Sequence, residues 1–508
     1  MTPSEKKNAA IHVVKNEAAE RGFDFFHDEQ RRAFATVPVS DHLETWEIRS
    51  RDFKLWVKQT LFDRVGVAPD SWVKATVEEF ETQAICKGRC ESVYLRVAPQ
   101  NGKLYLDLCN SKWEVVEISD GDWGISDNSP VKFRRAAGMT ALPLPHADGD
   151  LREFISFLNL RSSADEILLL TWLTYCVQVG SPYPIISLSG VQGAGKSTTA
   201  RVLRSLIDPS VCPLTTLPKR ERDLAIAANN SHVIVLDNIS DISAPLSDAL
   251  CRVATGGSFR TRKLYTDNEE MLFTFQRPVI LNGIEELPMR SDLLDRTILI
   301  HLEPIPAERR CDEAGFWRRF SDAQPHILGA LLDIVRVGRT LVGRVDIPAL
   351  PRMADFARWG VAIEQALGFK LGDFLAAYRA NIEHGISIAL EASPVAWTLH
   401  EYLVRRKEFV GSSSELLKAL VEFTTDANGK PTVARRDPAF PKSATRLSAE
   451  IDRVQPNLAK LGITVERWRT NRKRFIRLVL SDAVTPSDAD PSLSSPSERQ
   501  EVPAMVTQ

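Results

Sequence analysis

The loop GVQGAGKST at residues 190–198 constrains the fold of this chain more than any other feature. It fits the pattern GxxxxGK[ST], follows an apolar run at residues 184–188 and precedes a helix-compatible stretch at residues 199–207. A strand, a glycine-rich loop and a helix in this order form a phosphate-binding loop, in which backbone N–H groups and the helix N-terminus face a polyphosphate. The pattern therefore predicts an α/β domain with a parallel sheet around the loop.

The loop also supplies the candidate nucleotide ligands, which are Gly190, Gly193, Ala194, Gly195, Lys196, Ser197 and Thr198. Glycines let the backbone wrap closely around phosphate groups. Lys196 is expected to reach the β and γ phosphates, and the Ser197 hydroxyl is expected to help hold Mg²⁺. The expected cofactors are therefore ATP and Mg²⁺.

A second apolar run, residues 233–238, carries a carboxylate at Asp237. Its near-continuous apolar character indicates a buried parallel strand, expected beside the strand that precedes the loop. Asp237 would complete the Mg²⁺ shell through water. The next residue is Asn238, whose amide can orient a water but cannot accept its proton. Hydrolysis is therefore expected to be slow or to need another group.

Two further elements follow, the basic segment TGGSFRTRKLY at residues 255–265 and the strand VILN ending at Asn282. They resemble the B-prime and C motifs of superfamily 3 helicases, the AAA+ motors of small DNA viruses and of poxvirus, phage and plasmid primase-helicases. Residues 182–302 are more closely similar to uncharacterised ATP-binding proteins of bacterial prophages and integrative elements.

The resemblance implies a hairpin that lines a central channel, where Arg260, Arg262 and Lys263 contact the phosphates of single-stranded DNA. Such contacts are independent of base identity and sensitive to salt. A solvated basic loop is the alternative interpretation of the segment. Asn282 matches the sensor residue that hydrogen-bonds the attacking water or the γ phosphate.

The resemblance also implies an arginine that reaches the ATP site of a neighbouring subunit. Arg296 is the first choice for this role and Arg290 the second, so both join Lys196, Asp237, Asn238 and Asn282 as candidate catalytic residues. Such an arginine offsets charge that develops on the phosphoryl group. A homo-oligomer, such as a hexameric ring, would then be required. The alternative is an ion pair within the chain, with Asp292 or Asp295.

The segments around this core predict five regions. Residues 1–150 form an α+β domain of unassigned role, residues 151–310 the AAA+ P-loop core, and residues 311–410 a helical collar. Residues 411–480 read as a basic, winged-helix-like domain of two helices and a β-hairpin, in which a third helix is unclear. The Ser-, Pro- and Asp-rich residues 481–508 predict a disordered tail.

The C-terminal region concentrates positive charge on its predicted hairpin. Between positions 430 and 477, thirteen basic residues accompany four acidic ones, a net charge of +9. Arg469, Arg472, Lys473 and Arg474 lie at or near the turn and are candidate contacts to duplex DNA. A solvated basic hairpin is the alternative.

Composition excludes several other classes of protein. The net charge of the whole chain is −2, so affinity for nucleic acid must come from such local patches. The seven cysteines show no four-ligand zinc pattern, and Cys86, Cys90 and Cys109 are interpreted as reduced core thiols of a cytoplasmic protein. The most apolar helix, residues 167–177, is too short to span a bilayer, so no membrane association is expected.

Three functions fit the sequence. The favoured one is an ATP-driven DNA translocase or helicase that acts in replication of a mobile genetic element. The second is a nucleotide-controlled DNA-binding initiator, loader or defence switch with slow hydrolysis. The third, a small-molecule P-loop kinase, explains neither the basic segment at 255–265 nor the C-terminal charge.

Overall fold

The computed structural model describes residues 2–262, 270–283, 289–391, 393–425, 440–470 and 473–481. The chain divides into two compact units, Met1–Gly385 and Ile386–Gln508. The predicted tail at 482–508 lies outside the described residues.

The N-terminal part of the first unit combines three helices with ten short strands. The elements are α1 (Pro3–Glu20), β1 (Asp24–His27), β2 (Ala33–Val39), β3 (His42–Glu47), α2 (Arg51–Val65), α3 (Asp70–Lys87), β4 (Arg89–Cys90), β5 (Val93–Tyr94), β6 (Val97–Gln100), β7 (Lys103–Asp107), β8 (Val115–Ile118), β9 (Trp123–Ser126) and β10 (Lys132–Phe133). They form a four-stranded sheet in the order β3-β2-β1-β4, an antiparallel sheet in the order β6-β7-β8-β9, and the pair β5-β10.

Helix α1 was not predicted from the sequence, although its start carries a recognisable signal. The Thr2 hydroxyl accepts a hydrogen bond from the Glu5 N–H at 3.2 Å, and the Thr2 N–H donates to Glu5 Oε2 at 2.7 Å. This reciprocal pair is a capping box, and Pro3 occupies the first helical position, where its missing N–H costs nothing.

The central part of the first unit contains the phosphate-loop strand and its neighbours. The elements are α4 (Leu151–Ile155), α5 (Ser163–Tyr175), β11 (Ile185–Ser189), α6 (Lys196–Ile207), β12 (Thr215–Thr216), α7 (Glu221–Asn230), β13 (Ile234–Ile239), α8 (Ala244–Thr255), β14 (Gly257–Arg262), β15 (Glu270–Phe275), β16 (Val279–Gly283), α9 (Ser291–Leu294) and β17 (Thr297–His301).

Five of these strands form a parallel sheet in the order β12-β13-β16-β11-β17. The central strands are buried on both faces, as near-continuous apolar sequence predicts. One expectation was wrong: β13 does not lie beside β11, because β16 lies between them. A strand pattern predicts burial but does not determine which strands are neighbours.

A buried ion pair joins the N-terminal part to the parallel sheet. Arg96 is fully buried, and its Nε donates to Asp208 Oδ1 at 3.1 Å. Asp208 also accepts from the backbone N–H groups of His232 and Val233, which lead into β13. Such a pair is tolerated in the interior because both partners have further hydrogen bonds.

Long helices complete the first unit and extend into the second. They are α10 (Glu313–Leu341), α11 (Ala354–Ile363) and α12 (Asp373–Glu391). Residues of α5, α10, α11 and the parallel sheet share one apolar core, in which Trp172 and Trp359 are among the largest fully buried side chains.

In the part that the structure describes, the second unit contains the end of α12, three further helices and a three-stranded antiparallel sheet. The elements after α12 are α13 (Pro394–Arg406), β18 (Glu408–Gly411), α14 (Ser413–Phe423), α15 (Ala444–Lys460), β19 (Ile463–Arg469) and β20 (Arg474–Leu480), with the sheet order β18-β20-β19. Leu399, Leu416 and Leu447 bring the three helices into one core. Helix α13, which lies in the predicted helical collar, thus packs with the two helices of the predicted basic domain.

The mixed α/β fold with a parallel sheet is confirmed. The bounds of the five predicted regions stay predictions. No helix in the described part of the chain is long and apolar enough to cross a bilayer.

Candidate nucleotide and nucleic-acid sites

The loop between β11 and α6 has the backbone that its glycines require. Gly190, Gly193 and Gly195 have φ angles of 143°, 82° and 83°, values that residues with a side chain rarely adopt. A β-carbon on Gly190 would lie 2.5 Å from the Leu302 carbonyl oxygen, so this position also needs glycine for space. Gly195 is the N-cap of α6, and Lys196, Ser197 and Thr198 form the first turn of that helix.

Lys196 contacts the loop from which it projects. Its ammonium donates to the carbonyl of Gly190 at 2.7 Å and to that of Val191 at 3.1 Å. Partial burial lowers the pKa of Lys196, and the negative charge of Asp237 opposes that shift. Contact with phosphate oxygens would require the ammonium to leave these two carbonyls.

Ser197, Asp237 and Asn282 form a hydrogen-bonded cluster at the carboxyl edge of the parallel sheet. The Ser197 hydroxyl lies 3.1 Å and 3.3 Å from the two carboxylate oxygens of Asp237. Asn282, only 3% exposed, donates from Nδ2 to Ser197 Oγ at 3.1 Å and to Asp237 Oδ1. Three residues that are 40 to 85 positions apart in sequence are thus brought together, as the motif analysis predicted.

A β-bulge lies at Asp237 and Asn238. Leu236 pairs with Leu281 and Ile239 with Gly283, so two residues of β13 lie opposite Asn282 alone. Asn238 has a φ of 56° and its side chain is exposed. Asparagine is one of the few residues with a β-carbon that tolerates this left-handed backbone. The bulge was not predicted from the sequence.

Sequence reasoning also missed a cavity beside the loop. Its volume is about 730 Å³, and it is lined by Ala194, Gly195, Thr198 and Thr199 together with aromatic and aliphatic side chains. The apolar side chains of this wall are Phe157, Leu158, Ile305, Phe316 and Trp317. Of the predicted nucleotide ligands Ala194 and Thr198, the side chain of Ala194 is buried and that of Thr198 is partly exposed.

The two candidate arginine fingers have different surroundings. Arg290 is 44% exposed and forms ion pairs with Asp248 at 3.5 Å and Asp292 at 3.3 Å. Arg296 is half-buried, and its Nη1 donates to the Asp292 carbonyl at 2.5 Å. Arg296 precedes β17 and its carbonyl accepts from Ile185 N–H, so its backbone lies at the amino edge of the sheet, away from the phosphate loop. Arg290 thus forms the alternative that was considered for these arginines, an ion pair with Asp292 of the same chain.

The basic segment forms part of the antiparallel hairpin β14–β15. In its backbone register Arg260 is opposite Leu272 and Arg262 is opposite Glu270. The rings of Phe259 and Phe275 stack at the base of the hairpin, with centroids 5.3 Å apart. Lys263 lies outside the described residues.

Exposed cations surround the turn between β19 and β20. Arg469, Lys473 and Arg474 are exposed, and none of them forms an ion pair with another described residue. By contrast, Arg467 pairs with Asp452 at 2.8 Å and Arg477 with Glu408 at 2.6 Å. Arg472 lies outside the described residues.

The cysteines were only partly predicted. Cys86 and Cys90 are exposed, so the expectation that they are core thiols was wrong; Cys109 is partly buried. Cys86 lies in the last turn of α3, where a helical pattern does not distinguish a buried from an exposed face. The described residues contain no group of three or more His, Cys, Asp or Glu side chains that could hold a metal ion.

The chain resembles several solved structures at low sequence identity. The chain is similar to the C-terminal region of NrS-1, with 13% identity, 92% of this chain and 98% of that chain covered, and a TM-score of 0.44. It is also similar to the active helicase Cch of SCCmec type IV, with 11% identity, 90% of this chain and 92% of that chain covered, and a TM-score of 0.48. For the JCV helicase the identity is 13%, 44% of this chain and 66% of that chain are covered, and the TM-score is 0.22. The comparison with curated proteins found no match.

Two family models match the chain. Residues 151–386 match the model for the actinomycete integrative conjugative element replication protein, AICE RepA. Residues 395–492 match the model for the C-terminal domain of AICE RepA. The two matches follow one another in the order expected for one protein and together cover more than half of the 508 residues. The chain therefore belongs to the family of AICE RepA replication proteins.

Proposed function

We propose that this chain is an ATP-driven DNA translocase or helicase that acts as a ring-shaped oligomer in replication of a mobile genetic element. The observation that carries the proposal is the cluster of Ser197, Asp237 and Asn282 beside the phosphate loop. Membership of a replication-protein family gives this ATPase-like site a DNA substrate. The small-molecule kinase alternative gains no support from either observation.

Nucleotide would bind across the loop and the adjoining cavity. Lys196 exchanges its two loop carbonyls for β- and γ-phosphate oxygens, and the loop N–H groups hold the rest of the polyphosphate. The Ser197 hydroxyl and the Asp237 carboxylate fit Mg²⁺, since this ion prefers oxygen ligands and they lie 3.1 Å apart. When bound, Mg²⁺ would neutralise phosphate charge. The apolar wall with Phe157 and Trp317 is suited to the adenine ring.

Hydrolysis requires an oriented water and compensation of developing charge. Asn282 is held by Ser197 and Asp237, so its amide is positioned for a sensor role. Asn238 is exposed next to Asp237, where its amide would orient the attacking water. Arg296, or else Arg290, would act on the site of a neighbouring subunit in a ring of AAA+ cores.

DNA would be contacted at two places. The hairpin β14–β15 would present Arg260, Arg262 and Lys263 to the phosphates of one strand in the channel. The second unit, whose described residues pack helices α13, α14 and α15 with a three-stranded sheet, would be a winged helix. Its hairpin turn, with the uncommitted Arg469, Lys473 and Arg474, would lie against duplex phosphates.

The decisive experiment measures ATP hydrolysis by the full chain with no DNA, with single-stranded DNA and with forked DNA, alongside strand separation. DNA-stimulated hydrolysis with strand separation is the expected result. Lys196→Ala is expected to abolish nucleotide binding, because no other loop side chain supplies a cation to the phosphates. Tight ATP and DNA binding with negligible turnover of the wild-type protein would overturn the motor.

That second outcome would favour a nucleotide-controlled initiator, loader or defence switch. The observation in its favour is Asn238, since an amide next to Asp237 cannot accept a proton from water. In that case ATP would control assembly on DNA without rapid hydrolysis. Oligomerisation that requires ATP while the ATP remains unhydrolysed would identify this function.

A further inference from the structure

A cavity of about 340 Å³ lies between the N-terminal part of the first unit and the parallel sheet. Tyr183, His232 and Arg277 line it, and each stands two residues before a parallel strand, respectively β11, β13 and β16. Because these strands are parallel, the cavity lies at their amino edge. The phosphate loop follows the carboxyl end of β11, so the two sites lie at opposite edges of one sheet.

Three arginines line this cavity, and two of them form no ion pair with a carboxylate among the described residues. Arg32 donates from Nε to Asp28 Oδ2 at 2.6 Å, so its charge is balanced. Arg277 donates only to carbonyls, Ala228 O at 3.0 Å from Nε and Gln276 O at 3.2 Å from Nη1. Arg134 donates to Asn230 Oδ1 at 3.3 Å and to the Asn229 carbonyl. Neither Arg134 nor Arg277 forms an ion pair within the described part of the chain.

Carboxylates act on these two guanidinium groups only from beyond ion-pair distance, Glu47 and Asp28 on Arg134 and Asp208 on Arg277. Glu29 also lines the cavity but is exposed, and Asp28 is engaged by Arg32. The nearby Asp208 is engaged by Arg96 and by two backbone N–H groups. Burial lowers the pKa of Arg134 to about 10, and the positive charges of Arg32 and Arg277 add to that effect.

Partly buried cations without partners are costly unless an anion compensates them. Guanidinium groups present several N–H donors in a plane, which matches the oxygens of a phosphate group better than a monovalent halide. The Tyr183 hydroxyl is already engaged with the Gln178 carbonyl, and His232 with the Cys176 carbonyl. Arg134 and Arg277 are therefore the cationic groups of this wall that have no carboxylate within ion-pair distance in the described part of the chain.

We propose that the cavity lined by Arg134 and Arg277 is a second anion site, which binds a phosphate group independently of the phosphate loop. The phosphate belongs either to a nucleic-acid backbone or to a small phosphorylated molecule. Bound there, it ties the N-terminal part of the unit, through Arg134, to the residues that lead into β16, through Arg277.

The test uses the full chain carrying Lys196→Ala, so that the phosphate loop does not contribute. Thermal unfolding is followed while inorganic phosphate replaces chloride at constant ionic strength. Phosphate is expected to raise Tm with saturation, because a ligand that binds only the folded state stabilises it. Adding Arg134→Gln or Arg277→Gln should remove the saturable rise, whereas the exposed arginine change Arg51→Gln should leave it intact. If Arg277→Gln does not fold, Arg134→Gln alone decides the matter.

A second arm, with a single-stranded oligonucleotide, separates the two phosphate sources. Affinity that falls about tenfold in Arg134→Gln identifies a nucleic-acid phosphate. Unchanged DNA affinity with a lost phosphate effect identifies a small phosphorylated ligand. The proposal is overturned if neither the phosphate effect nor the oligonucleotide affinity depends on Arg134 or Arg277. Because no ATP is present, this result is independent of whether the chain is a motor.

Discussion

Asn238 combines a chemical position next to Asp237 with an unusual backbone, and the two contributions can be separated. Its φ of 56° lies in the left-handed region, and the bulge places it opposite Asn282 together with Asp237. Glycine adopts this backbone without strain, whereas alanine does not. A glycine substitution therefore removes the amide while it preserves the bulge.

We expect Asn238→Gly to retain stability and ATP binding but to lower ATP turnover about tenfold, since a water-orienting group is lost. Asn238→Ala should in addition destabilise the protein by about 1 kcal/mol. Thermal unfolding and steady-state hydrolysis measure the two effects. Wild-type turnover by Asn238→Gly would mean that Asn238 serves the backbone alone.

At the scale of elements, the hairpin β14–β15 and the turn between β19 and β20 are predicted to contact different forms of DNA. Each displays basic residues in an antiparallel pair of strands, yet they belong to different compact units. Phosphate contacts reveal themselves in the salt dependence of binding, because each one releases counterions. The two elements are therefore testable one at a time.

Arg262→Ala should spare ATP binding and basal hydrolysis but weaken stimulation by single-stranded DNA. The slope of log affinity against log salt should fall by about 0.7, the value for one single-strand phosphate contact. Arg220→Ala, an exposed arginine outside the hairpin, is the matched control. Stimulation that survives Arg262→Ala intact would refute the channel-loop assignment.

Replacement of Arg469, Lys473 and Arg474 by glutamine should weaken binding to duplex DNA. For three lost contacts the salt slope should decrease by about 2 to 3, while ATP hydrolysis without DNA is unaffected. The control is Arg406→Gln, an exposed arginine at the end of α13. Fluorescence anisotropy of a labelled duplex provides the measurement, and an unchanged slope would show that the hairpin is merely solvated.

At the scale of the whole molecule, the parallel sheet separates Arg296 from the proposed nucleotide site. Arg296 lies at the amino edge of the sheet, while the Ser197, Asp237 and Asn282 cluster lies at the carboxyl edge. An arginine at the amino edge would be remote from a nucleotide bound at the phosphate loop of the same chain. It is therefore suited to a neighbour's site.

Mixtures of Arg296→Ala with wild-type subunits should lose more DNA-stimulated hydrolysis than dilution accounts for, since each variant subunit disables a neighbour's site. A mixture with Arg51→Ala provides the control for mixing itself. Activity in direct proportion to the wild-type fraction would place the whole site within one chain.

Features that depend on residues close together in sequence were predicted more often than features that depend on tertiary packing. Ser197 was predicted from the phosphate-loop motif, Asp237 from the apolar run that follows it, and Asn282 from the resemblance to superfamily 3 helicases. The three residues lie in contact because the carboxyl ends of parallel strands meet at one edge of the sheet. The order of the strands was not predictable, since apolar runs do not encode their neighbours, and β16 was found between β11 and β13. The bulge at Asn238 and the cavity wall with Phe157 and Trp317 arise from tertiary packing. Helix α1 was not predicted, although Thr2 and Glu5 have the spacing of a capping box.

The contact of Lys196 with the carbonyls of Gly190 and Val191 has a consequence for selectivity. An anion that competes for this ammonium must replace two existing hydrogen bonds. A single sulfate or phosphate ion gains few new contacts in return, whereas a triphosphate engages the whole loop at the same time. The loop should therefore discriminate between anions by the length of their phosphate chain. Free inorganic phosphate, which is abundant in cells, should not occupy the loop and should not prevent ATP from binding.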